Sequence, residues 1–213
     1  MSTQKIFITE IELSKLNKSD LITISDLIYG TDDDIYSDVF GSKEVAREII
    51  PNLINKTNCI FSSENILIAR SDKEIVGVIV FSQNNSFSLG LSREDYKNLP
   101  DSFKNVNEIY FNGLADEYSN KPHLIYGFCV CVREDKRREN IGAMLLHRFI
   151  EEHGKTKDIY LDIVASNYPC IQLCTDKKNG FGFELYKTFL DYRKGGFMDL
   201  ECNGLRRVRD MSL

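Results

Sequence analysis

The stretch VREDKRRENIGAMLLHRFIEEHG, residues 132–154, decides how this chain is read. It follows directly on the β-rich run LIYGFCVCV at 124–132, crosses a dense block of charge and continues in a helical pattern. The spacing predicts a strand over Leu124–Val132 and an amphipathic helix over Ile141–His153, closed by Gly154. A helix that begins straight after a strand and a turn leaves its first backbone N–H groups without intrahelical partners. Its dipole adds partial positive charge at the same point, so such a junction favours anions, diphosphates among them. Arg137 and Arg138 contribute formal charge and forked donors. Gly142 and Ala143 leave the backbone open to a ligand. A solvated charged loop before an ordinary helix accounts for the same residues. Asn140 stands where such a turn favours glycine, and asparagine is unusually tolerant of positive φ.

The context removes three other readings of a strand–turn–helix. The phosphate loop G-x-x-x-x-G-K-[ST], the dinucleotide fingerprint G-x-G-x-x-G and the nucleophile elbow G-x-S-x-G are all absent.

Working outward, DIYLDIVAS reads as a further strand and YPCIQLCTDKK as a short helix with Pro169 in its first turn. FGFELYKTFLDY and GFMDLEC read as closing strands, with Gly195–Gly196 as turn chemistry between them. Upstream, Ile66–Ala69 and Ile75–Phe81 flank the polar turn SDKE as a hairpin, and Gly77 marks a bulge or a close approach. KSDLITISDLIYG predicts a helix capped by Ser19 and ended by Gly30. TDDDIYSDVFG reads as a polar loop with aromatic anchors, and SKEVAREIIPNLI as a helix perturbed by Pro51. QKIFITEIEL begins in β-like fashion. Residues 82–122 read as an insertion, with a short helix in SREDYKNLPDSF, that covers the substrate side. A hairpin followed by alternating strands and helices predicts a mixed α/β fold.

Composition sets the class. With 213 residues, 42% hydrophobic and 28% charged, the chain suits one domain with a substantial core. A net charge of −5 disfavours a general nucleic-acid binder, and the basic run RRVRD at 206–210 reads as a solvated terminus. No apolar run approaches the ~20 residues of a membrane span. The N-terminus lacks a signal-peptide core, so a cytoplasmic protein is expected. Six cysteines then read as reduced thiols: Cys59, Cys129, Cys131, Cys170, Cys174 and Cys202. The pairs CVC and CIQLC do not have the spacing of structural zinc sites, so buried small side chains are expected and no metal.

The order of elements around V-REDK-RRENIG-AMLL resembles the GNAT superfamily of acyl-CoA-dependent N-acyltransferases, in which a strand ending in Val leads through a turn into [RQ]-x-x-G-x-[GA]. Arg137, Asn140 and Gly142 occupy the signature positions, with Asn140 for the usual middle glycine. YLDIVASN and PCIQLCTDKKNGFGF are similar to the family's following strand and helix, and ILIARSDKEIVGVIVF to its paired second and third strands. The likeness is specific over about 124–183 and weaker over 64–81.

The resemblance implies a single domain over 1–213. Its fold would be a twisted, mostly antiparallel sheet whose central parallel strands splay apart, with flanking helices. It implies acetyl-CoA as cosubstrate and direct attack by a primary amine of a small molecule, protein N-terminus or lysine. Backbone groups of Val130, Cys131 and Val132 would pair with the pantetheine. Amides of Arg138, Glu139, Asn140, Ile141, Gly142 and Ala143 would hold the pyrophosphate beside Arg137, and Asn167 would contact the pantetheine. Many members carry a Glu where this chain has Tyr126, and a Tyr, the thiolate's acid, where it has Cys174. Cys174 is then either a proton donor or a small packing residue, and Gly180 and Gly182 give alternative registers for that helix. Tyr168 and Tyr186 are further hydroxyl donors without an assigned place. A non-catalytic acyl-CoA-binding module and a ligand-free interaction protein are the alternatives. The acceptor is an amine of unknown identity; acidic residues such as Asp32–Asp34, Asp116 or Glu117 could attract its ammonium, and ordinary solvation explains them equally well. Neither nucleic acid nor membrane is an expected partner, and a homodimer is left open.

Overall fold

The computed structural model describes residues 5–83, 87–90, 111, 113–118, 120–121, 123–176, 178, 180–191 and 200–207. Among the described residues, seven strands form one sheet in the order β1-β2-β3-β4-β5-β7-β6. They are β1 (Ile6–Glu10), β2 (Ile66–Ser71), β3 (Glu74–Ser82), β4 (Leu124–Val132), β5 (Asp158–Val164), β6 (Glu184–Asp191) and β7 (Leu200–Arg207). Every neighbouring pair is antiparallel except β4 and β5, which are parallel. Among the described residues the helices are α1 (Lys18–Tyr29), α2 (Asp33–Phe40), α3 (Lys43–Ile54), α4 (Ile141–His153) and α5 (Tyr168–Thr175), with a further helical segment over 113–118.

Two apolar clusters lie on the two faces of the sheet. On one face α1, α2, α3 and the segment around Phe111–Tyr118 cover Ile66, Ile68, Val78, Val80, Leu124, Tyr126 and Tyr160. On the other, α4 and α5 cover Leu67, Val76, Ile79, Ile125, Ile159, Leu161 and Ile163. The alternation along β2, β3 and β5 is what period-two side-chain geometry requires. Helix α4 sets Ile141, Leu145, Leu146 and Phe149 against the sheet, each contributing roughly 1.5–3 kcal/mol of burial. It can come this close because residue 77 is glycine: a Cβ there would meet Leu145 Cδ1 at 3.1 Å and Ile141 Cγ2 at 3.3 Å. The bulge expected near Gly77 is also present, since Ala69 pairs with Gly77 and Arg70 with Ile75, leaving Val76 over.

A second bulge matters more. Val80 pairs with Cys129 and Phe81 with Gly127, so Phe128 is the extra residue on β4. The bulge reverses the side-chain phase: Leu124 and Tyr126 before it share a face with Cys129 and Cys131 after it. The β4–β5 ladder runs from Leu124/Asp158 to Gly127/Leu161 and ends there, at the bulge. Beyond that point β4 follows β3 to Val132, while β5 follows β7 to Val164. The two parallel strands therefore splay.

Several expectations are corrected. The segment read as a polar loop contains α2, because Tyr36, Val39 and Phe40 fall on one buried face. Helix α1 is capped by Asn17 instead of Ser19. Asn17 Oδ1 accepts from Asp20 N at 2.9 Å and Asp20 Oδ2 accepts from Asn17 N at 3.3 Å, a reciprocal box that Ser19 has no partner to build. Helix α3 continues through Pro51 to Ile54, held by the buried Ile50, Leu53 and Ile54. The last strand lies later than read: β7 includes Arg206 and Arg207, so the basic run begins inside the sheet, where Arg206 stands opposite Tyr160 in the β5–β7 ladder. The short helix expected in 92–103 and the turn at Gly195–Gly196 lie outside the described residues.

His153, at the end of α4, packs 5.1 Å from the Phe81 ring and 5.4 Å from the Phe149 ring. Burial, assisted by Lys157, holds its pKa below the ordinary value. The unfolded chain protonates this residue near pH ~6.5 while the folded protein resists, so proton uptake favours unfolding as pH falls through that value. Thermal melts between pH 7.5 and 5.5 should show the midpoint falling on the acid side, and His153→Gln should flatten that slope. An equal slope in the variant would contradict the assignment.

Candidate functional site

The charged block after β4 resolves into distinct tasks. The 3₁₀ turn Glu134–Lys136 follows directly on the strand. Arg133 is held by Asp135 at 2.6 Å and Glu74 at 2.9 Å, and its backbone N–H donates to Val76 O. Lys136 pairs with Glu139 at 3.5 Å, and Arg137 Nε donates to the Val132 carbonyl at 3.3 Å. Arg138 is exposed and makes no ion pair with any described residue. Arg138 and Asn140 both adopt left-handed backbone conformations, with φ of 68° and 65°. The positive φ read for Asn140 is thus observed, and it explains why asparagine can replace glycine there.

Asn140 is the N-cap of α4, and its side chain makes no capping bond. The amides of Ile141, Gly142 and Ala143 form the first turn behind it. A Cβ on Gly142 would meet Val132 Cγ2 at 3.7 Å, ordinary contact. Internal packing therefore does not require glycine at 142. Beside the turn a hollow of ≈ 530 Å³ is lined by Asn140, Ala143, Met144, His147 and Phe181, among others.

A second cavity, ≈ 150 Å³, lies at the splay, between Gly127–Val130 of β4 and Leu161–Val164 of β5. Asn167, Cys170 and Cys174 of the α5 region close one side, and Thr31, Asp32 and Tyr36 another. Asn167 is there because it caps α5, accepting from Cys170 N at 3.3 Å. Cys174 is fully buried, and its hydrogen bond to Cys170 together with burial pushes its thiol well above the ordinary range. Burial likewise pushes the Cys129 thiol up to about 12. These thiols line the cavity as neutral groups. Gly180 and Gly182 both have backbone roles: a Cβ at 180 would meet Leu173 O at 2.5 Å, and Gly182 has φ of 69°.

One residue unread from the sequence stands at the end of the β4–β5 ladder. Asp162 is the first residue of β5 beyond Leu161, on the same strand face as Tyr160. Its carboxylate accepts the Tyr126 hydroxyl at 3.0 Å and the Tyr118 hydroxyl at 3.0 Å from each oxygen. Tyr118 and Tyr126 are buried, with ring centroids 4.8 Å apart. Tyr126 therefore occupies the expected place but presents a hydroxyl to a carboxylate on the next strand. The sequence signal was an aspartate inside the otherwise apolar DIYLDIV. A carboxylate at the edge of a cavity can accept a proton from an amine.

The remaining candidates lie elsewhere. Tyr168 is 74% exposed and does not line the cavity. His147 is exposed and 3.2 Å from Glu151; His123 is exposed in a left-handed conformation. Glu117 is engaged by Lys187.

Comparison with known proteins follows the same lines. The model of the acetyltransferase (GNAT) family matches residues 33–183. An N-acetyltransferase from Staphylococcus aureus Mu50 superposes with a TM-score of 0.63 at 14% identity, over 94% of this chain and 100% of that one. Another acetyltransferase gives 0.62 at 18% identity, over 96% and 100%. The yncA protein of Salmonella typhimurium, solved with its cofactor acetyl-CoA, gives 0.53 at 13% identity, over 97% and 95%. At these identities the likeness is one of fold. No curated protein matches the chain significantly in sequence.

The left-handed conformation at 140 makes a specific demand. Asn140→Ala should lower stability by about 1 kcal/mol, the order of the left-handed penalty for a residue with a Cβ. Asn140→Gly should leave stability nearly unchanged. Denaturant unfolding of the two variants would show it, and equal losses would contradict the backbone argument.

Proposed function

The chain belongs to the GNAT acetyltransferase family, and from that premise we propose that it moves an acetyl group from acetyl-CoA to a primary amine by direct attack. One coincidence carries the reading. The β4–β5 ladder ends where a cavity opens, with an anion-favouring helix start on one side and a carboxylate held by two tyrosines on the other.

The roles follow from chemistry. The amides of Arg138 to Ala143 hold the pyrophosphate, with the side chains of Arg137 and Arg138 adding positive charge. The hollow beside Phe181 and His147 takes the nucleotide end. The pantetheine extends along Val130–Val132 like an added strand and reaches Asn167. The thioester carbonyl then lies at the splay, where a strand N–H stabilises the oxyanion.

Asp162 takes a proton from the acceptor's ammonium. The freed amine attacks the carbonyl carbon, the C–N bond forms, the C–S bond breaks and CoA leaves as the thiolate. The second nitrogen proton ends on the CoA thiol. Tyr118 and Tyr126 position the Asp162 carboxylate. Cys174 acts as a packing residue: a thiol whose pKa is pushed up is a poor donor to a leaving thiolate.

Two variants separate binding from chemistry. Gly142→Glu places a negative charge at the helix start and should weaken acetyl-CoA binding by at least about tenfold in calorimetry. Gly142→Ala, which the fold accommodates, keeps the structure intact as a control. Asp162→Asn should keep acetyl-CoA affinity but lower kcat by about 10²–10⁴-fold, the usual scale for a lost general base. Normal affinity in Gly142→Glu, or normal turnover in Asp162→Asn, would overturn these assignments. Acetyl-CoA binding without thiol release across an amine panel would favour a non-catalytic binding module.

A further inference from the structure

Next to Asp162, among residues that do not line the cavity, the structure builds a cation box. The Lys121 ammonium lies 4.5 Å from the ring centroid of Tyr118, 4.7 Å from that of Tyr160 and 4.8 Å from that of Tyr186. It also donates to the Tyr186 hydroxyl at 3.1 Å. All three distances fall within the range of a favourable cation–ring contact. Tyr160 and Tyr186 meet edge to face at 5.5 Å and 87°, and Tyr118 and Tyr160 at 5.8 Å. Two of the walls, Tyr118 and Tyr160, are buried, while Tyr186 is 41% exposed and leaves the box open to solvent. Beside it, Lys187 pairs with Glu117 and lies 5.4 Å from the Tyr118 ring, so that cation is already held by a carboxylate.

Tyr118 belongs to both places. Its ring forms one wall of the box, and its hydroxyl donates to Asp162 at the splay. A cation in the box therefore sits one tyrosine away from the carboxylate, and it is not the nitrogen that reacts there. We infer that Tyr118, Tyr160 and Tyr186 form a cation subsite for the acceptor, filled by Lys121 until a dicationic alkylamine displaces it. Such an acceptor keeps one ammonium among the rings and delivers its second amino group to Asp162. The inference rests on Asp162 as the base proposed above, but the box itself can be tested without acetyl-CoA.

The test uses the full chain and calorimetry with tetramethylammonium, which cannot be acetylated, at constant ionic strength. Lys121→Ala should bind it at least about tenfold more tightly than the unsubstituted protein, as an aromatic box freed of its occupant would. Adding Tyr186→Ala, at the exposed wall, should abolish that gain. On Lys121→Ala, 1,4-diaminobutane should bind more tightly than n-butylamine, and Asp162→Asn should erase the difference. Equal tetramethylammonium affinity with and without Lys121, or a gain that survives Tyr186→Ala, would overturn the subsite. Equal affinity for the two amines on Lys121→Ala would overturn the dicationic acceptor. If tetramethylammonium binds as expected but acetyl-CoA does not, the box stands and the proposed activity fails; the reverse pattern fails the box alone.

Discussion

The site depends on the place where β4 stops pairing with β5. A parallel ladder inside a sheet would ordinarily continue as far as both strands run. Here it ends at Gly127/Leu161, although β4 extends to Val132 and β5 to Val164. The physical cause is the extra residue at Phe128, because a bulge bends its strand and increases the local twist. The bulge is itself anchored. The Phe128 ring packs against Phe61 at 5.6 Å, Phe111 at 5.9 Å, Tyr36 at 6.3 Å and Tyr126 at 6.5 Å. Unbulging β4 would pull that ring out of four aromatic contacts, so the opening is built into the core.

The splay separates two environments that need different chemistry. Toward α4 lie the exposed Arg138, a turn with two left-handed residues and the first amides of the helix, whose dipole adds partial positive charge. Exposed charges of this kind attract an anion at modest cost to the fold, since water screens them while the site is empty. Toward the opposite face two buried tyrosines donate their hydroxyls to a partly buried carboxylate. Even a partly buried carboxylate loses some of its hydration, and two hydroxyl donors supply what water would otherwise give. The arrangement keeps Asp162 in one orientation before any acceptor arrives.

Much of the region proposed for the cofactor was legible in the sequence, and much of the region proposed for the acceptor was not. The strand Leu124–Val132, the helix Ile141–His153 with its Gly154 stop, and the positive φ at Asn140 follow from local periodicity and local backbone preference. Asn167 was singled out through the family resemblance, and the structure adds that it caps the next helix. Asp162 could not, because its partners Tyr126 and Tyr118 lie 36 and 44 residues away and only the register of β4 against β5 brings them together. The same holds for α2, where a run of aspartates looks like a loop until Tyr36, Val39 and Phe40 find a buried face. The Phe128 bulge leaves no mark of its own in the sequence, although Cys129 and Cys131 after it share one face as alternation requires.

The substitution at 126 looks different once the strands are paired. Tyrosine in place of glutamate reads from the sequence as a lost carboxylate. In the fold, Tyr126 pairs across the ladder with Tyr160, and Asp162 follows two residues on, directed to the same face. The Tyr126 hydroxyl reaches Asp162 at 3.0 Å, so a carboxylate is still present beside the splay, carried by the neighbouring strand. Moving it to β5 has a consequence for recognition. The face around Asp162 is then walled by tyrosines, since Tyr118 must come down to satisfy the second donor position. The same rings that orient the carboxylate therefore present their faces to cations. A charge-neutral tyrosine at 126 thus leaves a carboxylate beside the splay, and under the proposed mechanism the surrounding rings would favour a positively charged acceptor.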